Sequence, residues 1–186
     1  KNIFKQTGKK KQFVYFGRIH PHKNIDLVIK AFKNAKLTND WKLKIFGIMD
    51  DFNYFNQLKI LIGQDHRIEI KEPVFNEEKQ AILNESWLNL LLSKSEVLSL
   101  SILEASIYSL PSLVNKNLEV TNIEDSVIPS ATNIESIKKN LESSSKWTVK
   151  ERLNRGKDIY KNVTRITSIE NISLKIPDYG IHIFFG

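Results

Sequence analysis

The sequence predicts an α/β protein built on a doubly wound, Rossmann-like parallel sheet flanked by helices. Two observations carry that expectation. Short continuous apolar runs such as FVYFGR, WKLKIFG, SWLNLLLS and LPSLVN read as strands buried on both faces, as parallel sheets require. Between them lie stretches of helical length with apolar residues at helical spacing, so strand and helix alternate as in βαβ units. At 186 residues the chain suits one domain with one sizeable core.

The elements follow in order. Phe13 to Arg18 forms the first strand, HPHKN a loop, and IDLVIKAFKNA a helix whose Ile25, Val28, Ile29 and Phe32 share one face. Trp41 to Gly47 is the second strand, FNYFNQLKILI the second helix and Arg67 to Lys71 the third strand. NEEKQAILNES makes a third helix with acids in its first turn, where the helix dipole favours them. Ser86 to Ser93 is the fourth strand, LSLSILEASIYS the fourth helix and Leu110 to Asn115 the fifth strand. Beyond that the pattern loosens. Asp125 to Pro129 reads as one more strand, and two capping boxes, Thr132 with Glu135 and Thr148 with Glu151, open two further helices. The tail YGIHIFFG alternates only weakly, and no repeat or low-complexity segment occurs.

Composition narrows the function classes. Hydrophobic content of 41% and charged content of 26% are those of a folded globular chain. No run approaches the roughly 18 apolar residues that span a bilayer, and no signal peptide opens the chain. Without cysteine there is no disulfide, thiolate metal site or thiol nucleophile, which is compatible with a reducing cytoplasm. His20, His22, His66 and His182 show no metal-ligand spacing, so no metal is expected. The first turn holds one glycine, Gly17, and no G-x-G-x-x-G, and no G-x-x-x-x-G-K occurs, which argues against an oxidoreductase and a nucleoside triphosphatase. The net charge of +7 suits a polyanion, whether nucleic acid, anionic lipid or a phosphorylated small molecule. Lys1, Lys5, Lys9, Lys10 and Lys11 contribute to it, although a lysine-rich segment before a first strand also reads as a solvated linker.

In open parallel sheets the ligand crevice lies outside the carboxyl ends of the strands. Gly17 and Arg18, Gly47, Lys71 and Glu72, Ser93 to Glu96, and Asn115 all fall at such ends. Arg18 and Lys23 flank the loop into the first helix, and the fourth helix presents its amino end, with Ser95, Ser99 and Ser101, to the same edge. Backbone N–H groups and a helix dipole there bind anions. Glu96 and Glu104 stand in an otherwise apolar stretch, and a buried carboxylate needs a partner. Together these residues suit a phosphate ester whose hydroxyls the glutamates accept from. Plainer readings stand beside that one. Arg18 and Lys23 are also what solvated loop cations look like, Glu96 can cap the fourth helix, and Ser99 and Ser101 are ordinary helix-start residues. His20 and His22 suit an exposed turn, and Phe52, Tyr54 and Phe55 suit core or an interdomain contact. Glu104 has no basic residue four positions to either side, which favours a ligand role.

The same residues carry a resemblance. GRIHPHKNIDLVIKAF resembles the GR-x-x-x-x-K-G-x-D-x-x-I-x-A-F block of retaining glycosyltransferases of the GT-B fold, family 4 (glycosyl transferases group 1). S-x-S-E-x7-E-A followed by LPSLV resembles the Glu-x7-Glu signature of that family, and RIEIKEPVFNEEKQAIL the strand and helix just before it. The likeness runs from Phe13 to Asn115, and SIENISLKI is similar to the family's last helix. It implies the carboxy-terminal, donor-binding half of a GT-B enzyme. A chain opening on Lys1 then reads as a fragment whose acceptor-binding half is missing upstream. Residues 1–12 are expected to be a linker or edge segment, 13–165 the nucleotide-sugar-binding domain, and 166–186 a helix and tail packing toward the missing half.

Carried across residue by residue, the resemblance gives Arg18, Lys23 and Glu96 the catalytic roles. Arg18 and Lys23 hold the diphosphate and stabilise the leaving group, Glu96 orients the transferred sugar and Glu104 accepts from the ribose hydroxyls. The donor set is completed by Gly17, Gly47, Lys71, Val74, Ser99, Leu100 and Ser101, with the backbone of residues 70–74 facing the base. The implied reaction needs no metal and no cofactor. It transfers a hexose from a nucleoside diphosphate sugar, with retention, to a glycan or lipid-linked acceptor in cell-envelope polysaccharide synthesis. The implied location is cytoplasmic, with peripheral association at the membrane face, and the fragment alone is expected to be inactive and to bind no nucleic acid. Where the family usually has glycine, this chain has Asn24, Glu72 and Ser99, and NKNLEVTNIEDSVIP contains none. A nucleotide-sugar epimerase of the same architecture, or a polyanion-binding domain without catalysis, are the alternatives. Steep salt dependence would distinguish a nucleic-acid binder.

Overall fold

The computed structural model describes residues 10–96, 100–118, 127–169, 174–176 and 181–183, with side chains through residue 162. Strands β1 (Gln12–Phe16), β2 (Lys42–Phe46), β3 (Ile68–Lys71), β4 (Leu88–Leu91), β5 (Ser112–Asn115) and β6 (Ile128–Ser130) form one sheet in the order β3-β2-β1-β4-β5-β6. Every neighbouring pair is parallel. The helices are α1 (Ile25–Asn34), α2 (Phe52–Ile62), α3 (Asn76–Glu85), α4 (Leu100–Ile107), α5 (Ile134–Ser145) and α6 (Val149–Ile169), and a short 3₁₀ turn, Pro21–Lys23, precedes α1. This is the doubly wound sheet the sequence predicts. Its strands are one to four residues shorter than the apolar runs; at β4, Leu92 and Ser93 stay buried after the ladder has ended.

The strand order reverses direction between β1 and β4, and right-handed crossovers then divide the helices between the faces. On one face α1, α2 and α5 cover the sheet through Ile25, Ile29, Phe32, Tyr54, Leu58, Ile137 and Leu141, packed on Phe13, Tyr15 and Leu43. Phe13 stacks on Trp41 with ring centroids 4.6 Å apart, and Trp41 meets Trp87 edge-on at 5.8 Å. The Trp87 indole donates to the Ser144 carbonyl at 2.8 Å, which ties α5 to the start of β4. On the other face, Leu83 of α3 and Ala105 of α4 pack with Val14, Phe16 and Phe46, while Ile102 of α4 and Ile159 of α6 pack with Leu91 and Val114. Thus the successive helices α3 and α4 share a face.

Helix α6 closes that face by close approach. A Cβ on Gly156 would lie 1.8 Å from the Ser109 carbonyl oxygen, so only glycine lets the helix lie against the turn after α4. The Thr148–Glu151 capping box is present: the Glu151 N–H donates to Thr148 Oγ1 at 3.2 Å and the Thr148 N–H to Glu151 Oε2 at 2.7 Å. Arg152, fully buried, donates to the carbonyls of Ser86 and Trp87 at 2.8 and 3.2 Å. Burial without a carboxylate partner lowers its pKa to about 10.

Three expectations are corrected. Helix α5 is capped not by Thr132 with Glu135 but by Asn133, whose side chain accepts from the Ser136 N–H at 2.8 Å. Asn is the better cap of two adjacent candidates, and its choice shifts the helix start by one residue. Strand β6 begins at Ile128 and runs to Ser130, beyond the expected end at Pro129; residues 125 and 126 lie outside the described residues. The stretch likened to a last helix divides: α6 ends at Ile169, and Leu174–Ile176 pairs antiparallel with Ile181–Ile183 as β7 and β8. The alternation of LKI and IHI is a strand period rather than a helical one.

Candidate functional site

The reversal between β1 and β4 puts the crevice at the carboxyl ends of those two strands. Its floor is backbone. Gly17 follows β1 with φ 154°, and a Cβ there would sit 2.7 Å from the Tyr15 hydroxyl. A Cβ on Gly47, after β2, would lie 1.8 Å from the Gly17 carbonyl oxygen. Neither position admits a side chain, so β1 and β2 end side by side, the Gly17 N–H donating to the Phe46 carbonyl at 3.1 Å. The Tyr15 hydroxyl donates to the Arg18 carbonyl at 2.8 Å and fixes the turn from below. Burial first, and the charge of Glu96 second, raise the Tyr15 pKa well above its ordinary value, so that hydroxyl stays a donor. The Arg18 guanidinium is 65% exposed and reaches Asp50 at 2.9 Å, a contact that a ligand anion can replace at little cost.

Lys23 ends the 3₁₀ turn, and Asn24 follows it in the left-handed region at φ 53°. That conformation explains why glycine is usual there. Asn is the non-glycine residue that tolerates it best, and here its Nδ2 also donates to the Leu92 carbonyl at 2.7 Å. The Lys94 N–H donates to the His22 carbonyl at 2.8 Å, so the loops after β1 and β4 are joined twice. Between them Lys23 Nζ pairs with Glu96 Oε1 at 2.7 Å. Both line a cleft of about 220 Å³ with Tyr15, Gly17, Arg18, Leu100 and Ser101. Ser101 Oγ donates to Asn89 Oδ1 at 3.3 Å, and Asn89, buried in β4, donates to Ser112 Oγ at 3.1 Å. Ser101 is therefore tied to the sheet, and half-exposed Leu100 is the α4 residue at the mouth.

A second cleft of about 210 Å³ shares Phe16, Gly17 and Arg18 with the first and adds Gly47, Ile48, Pro73, Val74, Phe75 and Lys79. Glu104 lines neither cleft but holds Lys79, which lines this one, so it is not unpaired as the sequence suggested. Lys79 Nζ lies 2.9 and 2.8 Å from its two oxygens. The correction has a topological cause: the neighbours of Glu104 were sought along its own helix, while its cation comes from α3 on the same face. Lys71 is brought in by its backbone alone. Its carbonyl accepts from the Gly47 N–H at 3.2 Å, while its ammonium pairs with Glu69 at 2.9 Å along the edge strand, away from the cleft. Glu72 is exposed, and Pro73, Val74 and Phe75 rather than Glu72 line the wall. Ser99 lies outside the described residues. His20 and His22 are in the exposed turn, their rings stacked at 5.3 Å. Phe52 is exposed at the start of α2, whereas Tyr54 is core.

Lys79, Tyr15 and Asp50 were not singled out from the sequence. Tyr15 alone had a local signal, a hydroxyl two residues before a strand-end glycine. Among the described residues no group of three His, Asp or Glu side chains could hold a metal ion, and no helix is long and apolar enough to cross a membrane.

The family model of glycosyl transferases group 1 fits residues 1–158, most of the chain. The chain belongs to that family. Several solved structures share its architecture. The C-terminal domain of the group 1 protein LpcC from Francisella tularensis superposes with a TM-score of 0.73 at 20% identity, over 87% of this chain and 88% of that one. Anabaena HepE, solved with UDP and glucose, gives 0.72 at 11% identity over 84% of this chain and 44% of its own. WaaG, a glycosyltransferase involved in lipopolysaccharide biosynthesis, gives 0.68 at 17% identity over 87% and 44%. These identities establish the fold, the Rossmann-like half of a GT-B glycosyltransferase. This group 1 chain thus spans less than half the length of HepE and nearly all of the LpcC domain. No curated protein matches the chain.

Proposed function

We propose that the chain is the donor-binding half of a retaining, family 4 glycosyltransferase and takes a nucleoside diphosphate sugar. One observation supports this most: Arg18, Lys23 and Glu96 line one cleft, and Lys79, which holds Glu104, lines a second that shares the end of β1 with it. A diphosphate over Gly17 would meet the side chains of Arg18 and Lys23. The sugar then falls to Glu96 and the ribose to Glu104, with the base against Val74 and Phe75. As the bond to the sugar breaks, negative charge grows on the diphosphate, and the two cations stabilise it where it develops. Because HepE was solved with UDP and glucose, uridine is the first base and glucose the first hexose to test.

The rest of the reading concerns the whole enzyme. A second half, as in the relatives twice this length, binds a glycan or lipid-linked acceptor. The product belongs to cell-envelope polysaccharide, made in the cytoplasm at the membrane face, and the fragment alone binds the donor without transferring it. Ligand-observed NMR with UDP-, GDP-, ADP- and CMP-sugars tests the donor site. Binding of one of them, weakened roughly ten- to hundredfold by Glu104→Ala, is expected, since about 1.5–3 kcal/mol of charge-assisted hydrogen bonding is lost. No binding at millimolar concentration, or unchanged binding by E104A, overturns the reading.

A further inference from the structure

Lys79 has no assigned part in the site, and its geometry gives it one. Its ammonium contacts both oxygens of Glu104, at 2.9 and 2.8 Å, and stands 5.5 Å from the centroid of the Phe16 ring. The side chains of the pair are 17% and 14% exposed. A lysine held by a carboxylate on one side and a ring on another has little freedom left, and it removes the same freedom from the carboxylate. Phe16 and Lys79 both line the 210 Å³ cleft. The Lys79 N–H donates to the Phe75 carbonyl at 3.3 Å, so the first turn of α3 is anchored in the wall of that cleft.

We propose that Lys79 is a positioning residue that makes the nucleotide site select a ribose, by holding Glu104 to receive a ribose hydroxyl. The proposal rests on the donor-site reading above. A carboxylate oxygen offers two acceptor directions. One ammonium bridging both oxygens occupies the inner direction on each and leaves the outer one on each, where a ribose hydroxyl can donate. It also supplies the countercharge that a mostly buried carboxylate needs in order to remain an acceptor. A pair that merely tied α3 to α4 would stabilise the fold and leave ligand preference alone.

The test compares the chain's affinity for nucleoside diphosphates with that for their 2′,3′-dideoxy analogues, in wild type, Lys79→Met and Lys79→Arg. Uridine, adenosine and guanosine pairs are measured by titration calorimetry, with thermal melting of each variant alongside. Wild type is expected to prefer the ribose form by about tenfold or more, as for loss of hydrogen bonds to a charged group. K79M is expected to cut that preference at least fivefold while affinity for the dideoxy analogue changes less than about twofold, and K79R to restore most of it through the same bridging contact. Should K79M not fold, Lys79→Gln carries the same comparison. An unchanged preference in the folded variant overturns the inference, as does equal weakening of both analogues, which would mean that the ammonium touches phosphate itself. Failure of wild type to bind any nucleoside diphosphate overturns the donor-site reading and this inference with it; binding with an unaltered preference overturns only the inference.

Discussion

Lys23 Nζ and Glu96 Oε1 lie 2.7 Å apart across the loops that follow β1 and β4, so the cation expected to hold a phosphate is held by the acid expected to hold a sugar. A diphosphate must therefore compete with Glu96 for Lys23. Replacing Glu96 by Gln releases the ammonium and removes a negative charge. Affinity for a bare nucleoside diphosphate should rise roughly three- to tenfold, while the added affinity contributed by the sugar should fall. Calorimetric titration of E96Q with a nucleoside diphosphate and its sugar conjugate checks both signs.

Asn24 serves two purposes that substitution can separate. Asn24→Ala forces a Cβ into φ 53° without a stabilising side chain and strands the Leu92 carbonyl, a loss of about 2–3 kcal/mol. Asn24→Gly removes only the hydrogen bond and should lose about 1 kcal/mol or less. Urea denaturation should rank the two in that order. Equal losses would show that the backbone angle is not what selects the residue.

Gly47→Ala should be among the most damaging single-methyl changes in the domain. Its Cβ would meet a backbone oxygen at 1.8 Å, and backbone cannot rotate away as a side chain can. A loss of about 3 kcal/mol or more is expected, with donor binding lost in whatever fraction stays folded. Circular dichroism melts and one-dimensional NMR of G47A are sufficient to see it.

Asp65 gives a pH signature. Its hydrogen bonds from Arg67, at 2.7 and 2.9 Å, hold its pKa below the ordinary 3.8. A carboxylate whose pKa is lower folded than unfolded adds stability above the unfolded value and loses it as pH falls through the folded one. Asp65→Asn should therefore cost about 1–2 kcal/mol at pH 7, and the gap from wild type should close as pH drops below about 4. Thermal melts at pH 7 and pH 3 measure the two ends.

Much of the fold could be read because its cues are local. The 3.6-residue spacing of Ile25, Val28, Ile29 and Phe32 and the continuous run of β4 specify an element without reference to the rest of the chain. The caps were half legible: Thr148 with Glu151 stands alone, whereas Thr132 and Asn133 compete and only the folded turn decides. Placing Arg18, Lys23 and Glu96 at one crevice needed only the rule that parallel strands deliver their loops to one edge. What partners those side chains take was out of reach. Lys79 meets Glu104 because the strand order turns back and brings α3 and α4 to one face. The sideways turn of the Lys71 ammonium likewise depends on β3 being an edge strand, which sequence order does not state.

The two clefts have one wall in common, the end of β1 from Phe16 to Arg18, and that wall is rigid. Tyr15 braces it from beneath and Gly47 is packed against it. A ligand that spans it is chelated: whichever end docks first holds the other at high local concentration over a fixed distance. A nucleoside or a sugar phosphate alone forfeits that gain. The ridge would thus act as a ruler, admitting ligands by the length of the bridge between their two halves as well as by what the halves are.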